Sequence, residues 1–216
     1  MNVAVFGAGR IGRIHAANVA QQAGVTLKYI VDVFVEAANE VAEQHDARAA
    51  EIDEVLSDPS IGAVIIASST DTHADLIFRS AAAGKAIFCE KPVDLSIERA
   101  RACAEAVAES GVICMIGFNR RFDPTFAALK ARLDSGEIGI PEMLIITSRD
   151  PGAPPVSYIK VSGGIFKDML IHDFDMFRFL LEDEAETIHA TGSCLTDPAI
   201  GEAGDIDSSV VTIRTR

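Results

Sequence analysis

No stretch of the sequence reaches the roughly 18 consecutive apolar residues needed to cross a bilayer. Residues 1–6 form a short apolar run that meets glycine at once, without the basic head or long apolar segment of a secretory signal. A soluble, cytoplasmic chain with no membrane partner is therefore expected. Cysteine is scarce: Cys89, Cys103, Cys114 and Cys194 stand far apart, with no CxxC pair and no histidine at finger spacing. That pattern argues against a disulfide framework or zinc finger and suits reduced thiols packed as small core residues. Basic residues number 19 against 32 acidic ones, a formal charge of -13. Such a field repels polyanions, so nucleic acid is set aside as a partner. Repeats and low-complexity segments are missing as well. What is present is apolar content of 49% over 216 residues. This is enough for one substantial core, with room for a second, smaller domain, and it excludes a disordered chain.

Short β-branched runs alternate with alanine-rich helical stretches from the start. Strands are predicted over 3–6, 26–31, 63–67, 86–89 and 112–116, and helices over 10–22, 34–45, 71–83 and 96–110. Strands so short and so little alternating belong to a parallel sheet covered on both faces, and their alternation with helices makes a doubly wound Rossmann-type α/β fold. The character changes after Gly117, and the spacing predicts domains at 1–118 and 119–216. In the second, helices are expected over 122–133 and from Gly164 to Leu181, and strands over 143–148, 185–192 and 207–214, forming part of an α+β domain. The last strand stops at Arg216 with nothing to cover its edge, which points to a piece of a longer protein.

Gly7, Gly9 and Gly12 form GxGxxG directly after the first strand, with Arg10 and Ile11 opening the helix that follows. The first glycine permits the tight turn, the second lets backbone approach a pyrophosphate, and the third lets helix and strand pack closely. Asp32 lies twenty residues beyond Gly12, at the end of the second strand. There a carboxylate can accept from ribose hydroxyls and repel a 2′-phosphate, which favours NAD over NADP. The alternative is that Asp32 merely caps the next helix. Ser68, Ser69 and Thr70 follow a central strand at its ligand-binding end; they either line the cofactor or serve as ordinary caps. Glu90 and Lys91 follow another strand at the same edge, though a lysine there is often only a solubilising charge.

In GGIFKDMLIHDFDMFRFLL, Asp168 and His172 are four residues apart, hence on one helical face, with Asp175 also on the polar side. Leu170, Phe174, Phe177 and Leu181 form a separate apolar stripe. A solvated acidic face with a stray histidine is the plain alternative. Oxidising an alcohol needs a base for the hydroxyl proton, and histidine has the pKa for that work. A metal site built from Asp168, His172, Asp173 and Asp175 is disfavoured, because Asp173 points away from His172 and no second histidine or cysteine lies at ligand spacing.

The stretches VAVFGAGRIGRIHAANV, EKPVDLS, GFNRRFDPTF, SRDPGAPPVSYIKVSGGIFKDMLIHDFDM and DPAIGEAGDID run the length of the chain. They resemble the Gfo/Idh/MocA oxidoreductase family, and the middle ones resemble its inositol-oxidising members. The resemblance implies a second domain with an open, largely antiparallel sheet and assembly as a homo-tetramer. It further implies that Lys91 anchors substrate and tunes the base, that Asp168 and His172 are the catalytic aspartate and histidine, and that a polyol, inositol, passes a hydride from C2 to NAD. Arg121 is a further candidate for substrate contact, with Asn119 and Tyr158 behind it; the alternative is that Arg121 pairs with a local carboxylate such as Asp123. Two other readings stay open: a dehydrogenase of glucose or another pyranose, and a non-catalytic NAD-binding protein.

Overall fold

A computed structural model describes residues 1–216, the side chain of Lys160 excepted, and the chain divides into two compact units, Met1–Gly117 and Phe118–Arg216. The first alternates β1 (Asn2–Phe6), α1 (Arg10–Gln21), β2 (Thr26–Val31), α2 (Val35–Gln44), β3 (Arg48–Ala49), α3 (Ile52–Ser57), β4 (Ile61–Ile66), α4 (Thr70–Ala82), β5 (Ala86–Cys89), α5 (Ile97–Ser110) and β6 (Cys114–Ile116). All six strands are parallel, in the order β3-β2-β1-β4-β5-β6. Strand order therefore reverses between β1 and β4, and in such sheets the ligand crevice opens at the carboxyl ends beside that reversal.

Successive side chains of β1 enter opposite layers. Ala4 and Phe6 pack with Val64, Ile66, Leu76, Ile77 and Cys103 on one face, while Val5 packs with Ala16, Leu27, Ile30 and Val41 on the other. Both faces are thus covered, which is why β1, β4 and β5 read as nearly continuous apolar runs. α5 carries the expected signals at both ends: Ser96 accepts from the Arg99 N–H at its start, and Gly111 closes it at φ 70°. Burial pushes the Cys103 thiol up to about 11 and raises Cys89 as well, so both are inert fillers of the core. The doubly wound fold is borne out. The two-residue β3 and the six-residue α3 were not anticipated, being too short to show a period.

The second unit opens on a 3₁₀ turn, Asn119–Phe122, followed by α6 (Pro124–Asp134), α7 (Val156–Ser162), a π turn (Phe166–Leu170), α8 (Ile171–Leu181), β7 (Thr187–Ser193), α9 (Pro198–Glu202) and β8 (Ser208–Arg214). Asp123 caps α6 by accepting from the N–H groups of Thr125 and Phe126. β7 and β8 pair antiparallel from Thr187↔Arg214 to Ser193↔Ser208, in keeping with an antiparallel second domain.

Two expectations for this unit need correction. Residues 143–148 form no strand: no neighbour pairs with them among the described residues, Met143 and Ile145 are exposed, and the Ser148 hydroxyl bonds the Asp173 carboxylate at 2.6 Å instead. β-propensity without a ladder partner does not make a strand. The helix expected after Gly163 and Gly164 does run to Leu181, with the π turn set into it and α7 before it. The buried side of α8 is Asp175, Met176, Phe177 and Leu180, rotated from the anticipated stripe so that Asp175 lies inside. α9 was also unforeseen, at five residues.

Candidate functional site

In the first unit, β1 runs straight into the glycine turn, where the Gly7 N–H donates to the Val31 carbonyl at 2.7 Å. Gly7 has φ +107°, and a Cβ there would lie 2.5 Å from the Ala67 carbonyl oxygen, at the end of the chain leaving β4. A Cβ at Gly12 would lie 1.8 Å from the Gly7 carbonyl oxygen, so close strand–helix packing requires that glycine. Gly9 differs: it precedes α1 with φ -71°, and a Cβ there meets nothing within 4 Å. Among the described residues, no packing demands glycine at position 9. A phosphate approaching the N–H groups at the head of α1, among Arg10 and Ile11, would give a reason for it.

Asp32 sits against the same turn. One carboxylate oxygen accepts from the Ala8 N–H at 2.6 Å and the other from the Phe34 N–H at 2.9 Å, so it ties the glycine turn to the start of α2. Ser69 occupies the N-cap of α4 without capping it through its side chain. The Ser68 and Thr72 hydroxyls lie 2.6 Å apart, and Thr72 donates to the Ser69 carbonyl at 2.7 Å, which fixes the Ser68–Ser69–Thr70 turn.

Glu90 and Lys91 leave β5 on the same edge, and the Lys91–Pro92 bond is cis. A Glu90 carboxylate oxygen lies 2.7 Å from Nε2 of His15 on α1. His73 on α4 is buried, with Nδ1 2.8 Å from the Pro92 carbonyl and Nε2 3.1 Å from the Ser68 carbonyl. Neither histidine emerged from the sequence. His15 follows Gly12 by three residues on a helix already marked as nucleotide-binding, a usable signal; His73 reads like any core position of an amphipathic helix.

In the second unit the π turn carries Asp168 at its centre and leads directly to His172 in the first turn of α8. Its i→i+5 bonds widen the helix locally, an insertion frequent at functional sites. The Tyr158 hydroxyl on α7 donates to Asp168 at 3.0 Å, so two candidate residues distant in helical register meet. Asp205 accepts from the Ile165 N–H at 3.0 Å and closes the entry to the π turn. Arg121 holds buried Asp175 in a two-point pair, Nε and Nη2 donating at 2.8 and 2.5 Å, and its guanidinium lies over the Phe179 ring. Its partner is thus Asp175, while Asp123 serves as a helix cap. Arg120 pairs likewise with Asp173. Asn119 is exposed at the start of the 3₁₀ turn. No three metal-binding side chains gather among the described residues.

A glycine turn shaped by strand–helix contact, with a carboxylate on the next strand fastened to it, defines a dinucleotide-binding α/β protein. Residues 1–118 match the family model described as an oxidoreductase family with an NAD-binding Rossmann fold, and residues 126–216 match the GFO/IDH/MocA C-terminal domain. The chain belongs to the Gfo/Idh/MocA oxidoreductase family, and its first unit is that family's NAD-binding domain. An inositol 2-dehydrogenase of Rhizobium meliloti is 53% identical over 98% of this chain and 64% of its own length. The crystal structure of a myo-inositol dehydrogenase from Corynebacterium glutamicum superposes with TM-score 0.94 at 47% identity, covering 100% of this chain and 65% of that one. A scyllo-inositol dehydrogenase from Lactobacillus casei, solved with NAD(H) and scyllo-inositol bound, gives TM-score 0.87 at 28% identity, over 100% and 66%. The chain therefore spans about two thirds of the length of these relatives.

Proposed function

We propose that this protein oxidises myo-inositol at the C2 hydroxyl to the 2-keto product, with NAD, and that it works as a cytoplasmic homo-tetramer. The reading rests on the inositol-named relatives and on one geometric observation, the Asp168 carboxylate oriented by the Tyr158 hydroxyl immediately ahead of His172. NAD, when bound, supplies the hydride acceptor. Gly7, Gly9, Arg10, Ile11 and Gly12 hold its pyrophosphate and Asp32 its adenosine ribose, with Ser68, Ser69, Thr70 and Glu90 lining the rest.

His172 takes the proton from the C2 hydroxyl as general base. Asp168 orients the imidazole, and Tyr158 in turn fixes Asp168. Lys91 donates to the reacting oxygen, stabilising the alkoxide character that develops there. Arg121 presents the edge opposite its Asp175 pair to ring hydroxyls, and Asn119 and Tyr158 supply further polar contacts.

A screen of polyols with NAD, following NADH formation, tests the reading. Myo-inositol should be turned over faster than glucose; equal or faster glucose turnover would shift the assignment to a pyranose dehydrogenase, and NADH binding without turnover of any polyol would leave only a nucleotide-binding protein. His172→Ala should lower turnover by roughly 10² to 10⁴, the usual worth of a positioned base. Unchanged turnover would remove His172 from the mechanism.

A further inference from the structure

Lys91 stands on a loop after β5, and each of its two chain neighbours is gripped by a histidine from a different helix. On the amino-terminal side, the Glu90 N–H donates to the Ile66 carbonyl at 2.9 Å, and one Glu90 carboxylate oxygen lies 2.7 Å from His15 Nε2. The other carboxylate oxygen is backed by Gly117, where a Cβ would come within 3.0 Å of it, while the His15 ring packs edge-on to Phe88 at 5.1 Å. On the carboxyl-terminal side, His73 is 2% exposed and faces the carbonyls of Pro92 and Ser68 with its two ring nitrogens. A carbonyl can only accept, and a neutral imidazole has one N–H to give, so a neutral ring makes one of these contacts a hydrogen bond at a time. The shorter contact, 2.8 Å against 3.1 Å, marks Nδ1–H to Pro92 as that bond.

We infer that His15 and His73 are positioning residues that hold Lys91 from both sides and tie it to the two turns assigned to the cofactor. His15 lies on α1, whose head is the glycine turn, and His73 on α4, whose head is the Ser68–Thr70 turn. A shift of either turn is passed through an imidazole to the residue before or after the lysine. The inference rests on the proposed catalytic role of Lys91.

Crossed amide substitutions test it, since the asparagine amide overlays Nδ1 of histidine and the glutamine amide overlays Nε2. His73→Gln and His15→Asn lose the required nitrogen; both should lower kcat by about ten- to a hundredfold, the cost of about an ångström of misplacement, with NADH affinity changed by less than about threefold. His73→Asn and His15→Gln keep the nitrogen and should stay within about threefold of the parent. Equal kcat in all four, or kcat, NADH affinity and melting temperature falling together, would overturn the brace and leave an ordinary structural role. Lys91→Met separates the two layers of the argument: retained turnover in that variant defeats the role of Lys91 itself. The brace is then read without activity, from the ¹³C NMR signal of Lys91 in reductively methylated protein. That signal should move in His73→Gln and His15→Asn and hold in the other pair, and an unmoved signal in all four refutes the brace. The partly buried His15 allows this comparison even if position 73 tolerates no change.

Discussion

Replacing Gly9 and Gly12 by alanine, one at a time, separates a glycine required by the fold from one required by the ligand. At Gly12 the new methyl would sit 1.8 Å from the Gly7 carbonyl oxygen, both backbone-borne, so the head of α1 must move by more than about 1 Å. Overpacking of that kind costs about 1 to 3 kcal/mol, or roughly 2 to 12 °C in Tm for a chain of this size. At Gly9 the methyl meets no protein atom within 4 Å, and φ -71° suits any residue. The unfolded-chain gain of about 0.4 to 1 kcal/mol is offset by a few tenths or more lost at the N-cap, so Tm should stay within about 2 °C. NADH affinity should fall in both variants. For Gly9→Ala, displacing the phosphate from one charge-assisted N–H bond costs about 1.5 to 3 kcal/mol, roughly ten- to a hundredfold in Kd. Differential scanning calorimetry and NADH fluorescence titration read the two quantities independently. Gly9→Ala melting as early as Gly12→Ala, or binding NADH as tightly as the parent, would refute this division between the two glycines.

Two further outcomes follow from the second unit. Arg121→Met strands the buried Asp175 carboxylate and should cost about 3 kcal/mol in urea unfolding, whereas Arg121→Met with Asp175→Leu should recover most of it; an additive double variant would show that the pair is not coupled. The Asp207 carboxyl is held well below its ordinary range by the N–H groups of Leu195, Asp197 and Thr196 and by the Ser208 hydroxyl, despite some desolvation. Because its folded pKa is depressed, its stabilisation is full above the unfolded value near 4 and is lost as pH falls from there toward the folded value. Asp207→Asn should therefore be less stable than the parent at pH 7, with the gap closing progressively below about pH 4; a gap that does not change with pH would contradict the assignment.

The nucleotide-binding fold was legible because two physical signals coincide in its sequence: short, mostly apolar strands spaced by helices, and glycines placed where backbone meets backbone. Gly7 and Gly12 sit against the Ala67 and Gly7 carbonyls as the motif requires. What was not legible depended on partners far away in the chain. Residues 143–148 have strand-like composition, but a strand exists only through a neighbour that the local pattern cannot reveal. His73 has its partners in Ser68 and Pro92, the latter 19 residues on, and nothing in the spacing separates it from a core histidine.

The acidic stretch from Asp168 to Asp175 shows why spacing alone misassigned one face of that helix. An ideal α-helix would leave Asp175 among the solvated carboxylates, but the π turn at Phe166–Leu170 precedes it, and two arginines from the 3₁₀ turn reach in. Arg120 engages Asp173 and Arg121 engages Asp175, so these carboxylates fasten α8 to the segment before α6. Burying Asp175 in this way is tolerable only because its charge is matched by a guanidinium with two parallel donors. Asp168 is instead met by the Tyr158 phenol. Although formally alike in the sequence, Asp173 and Asp175 are thus drawn to arginines and brace the helix.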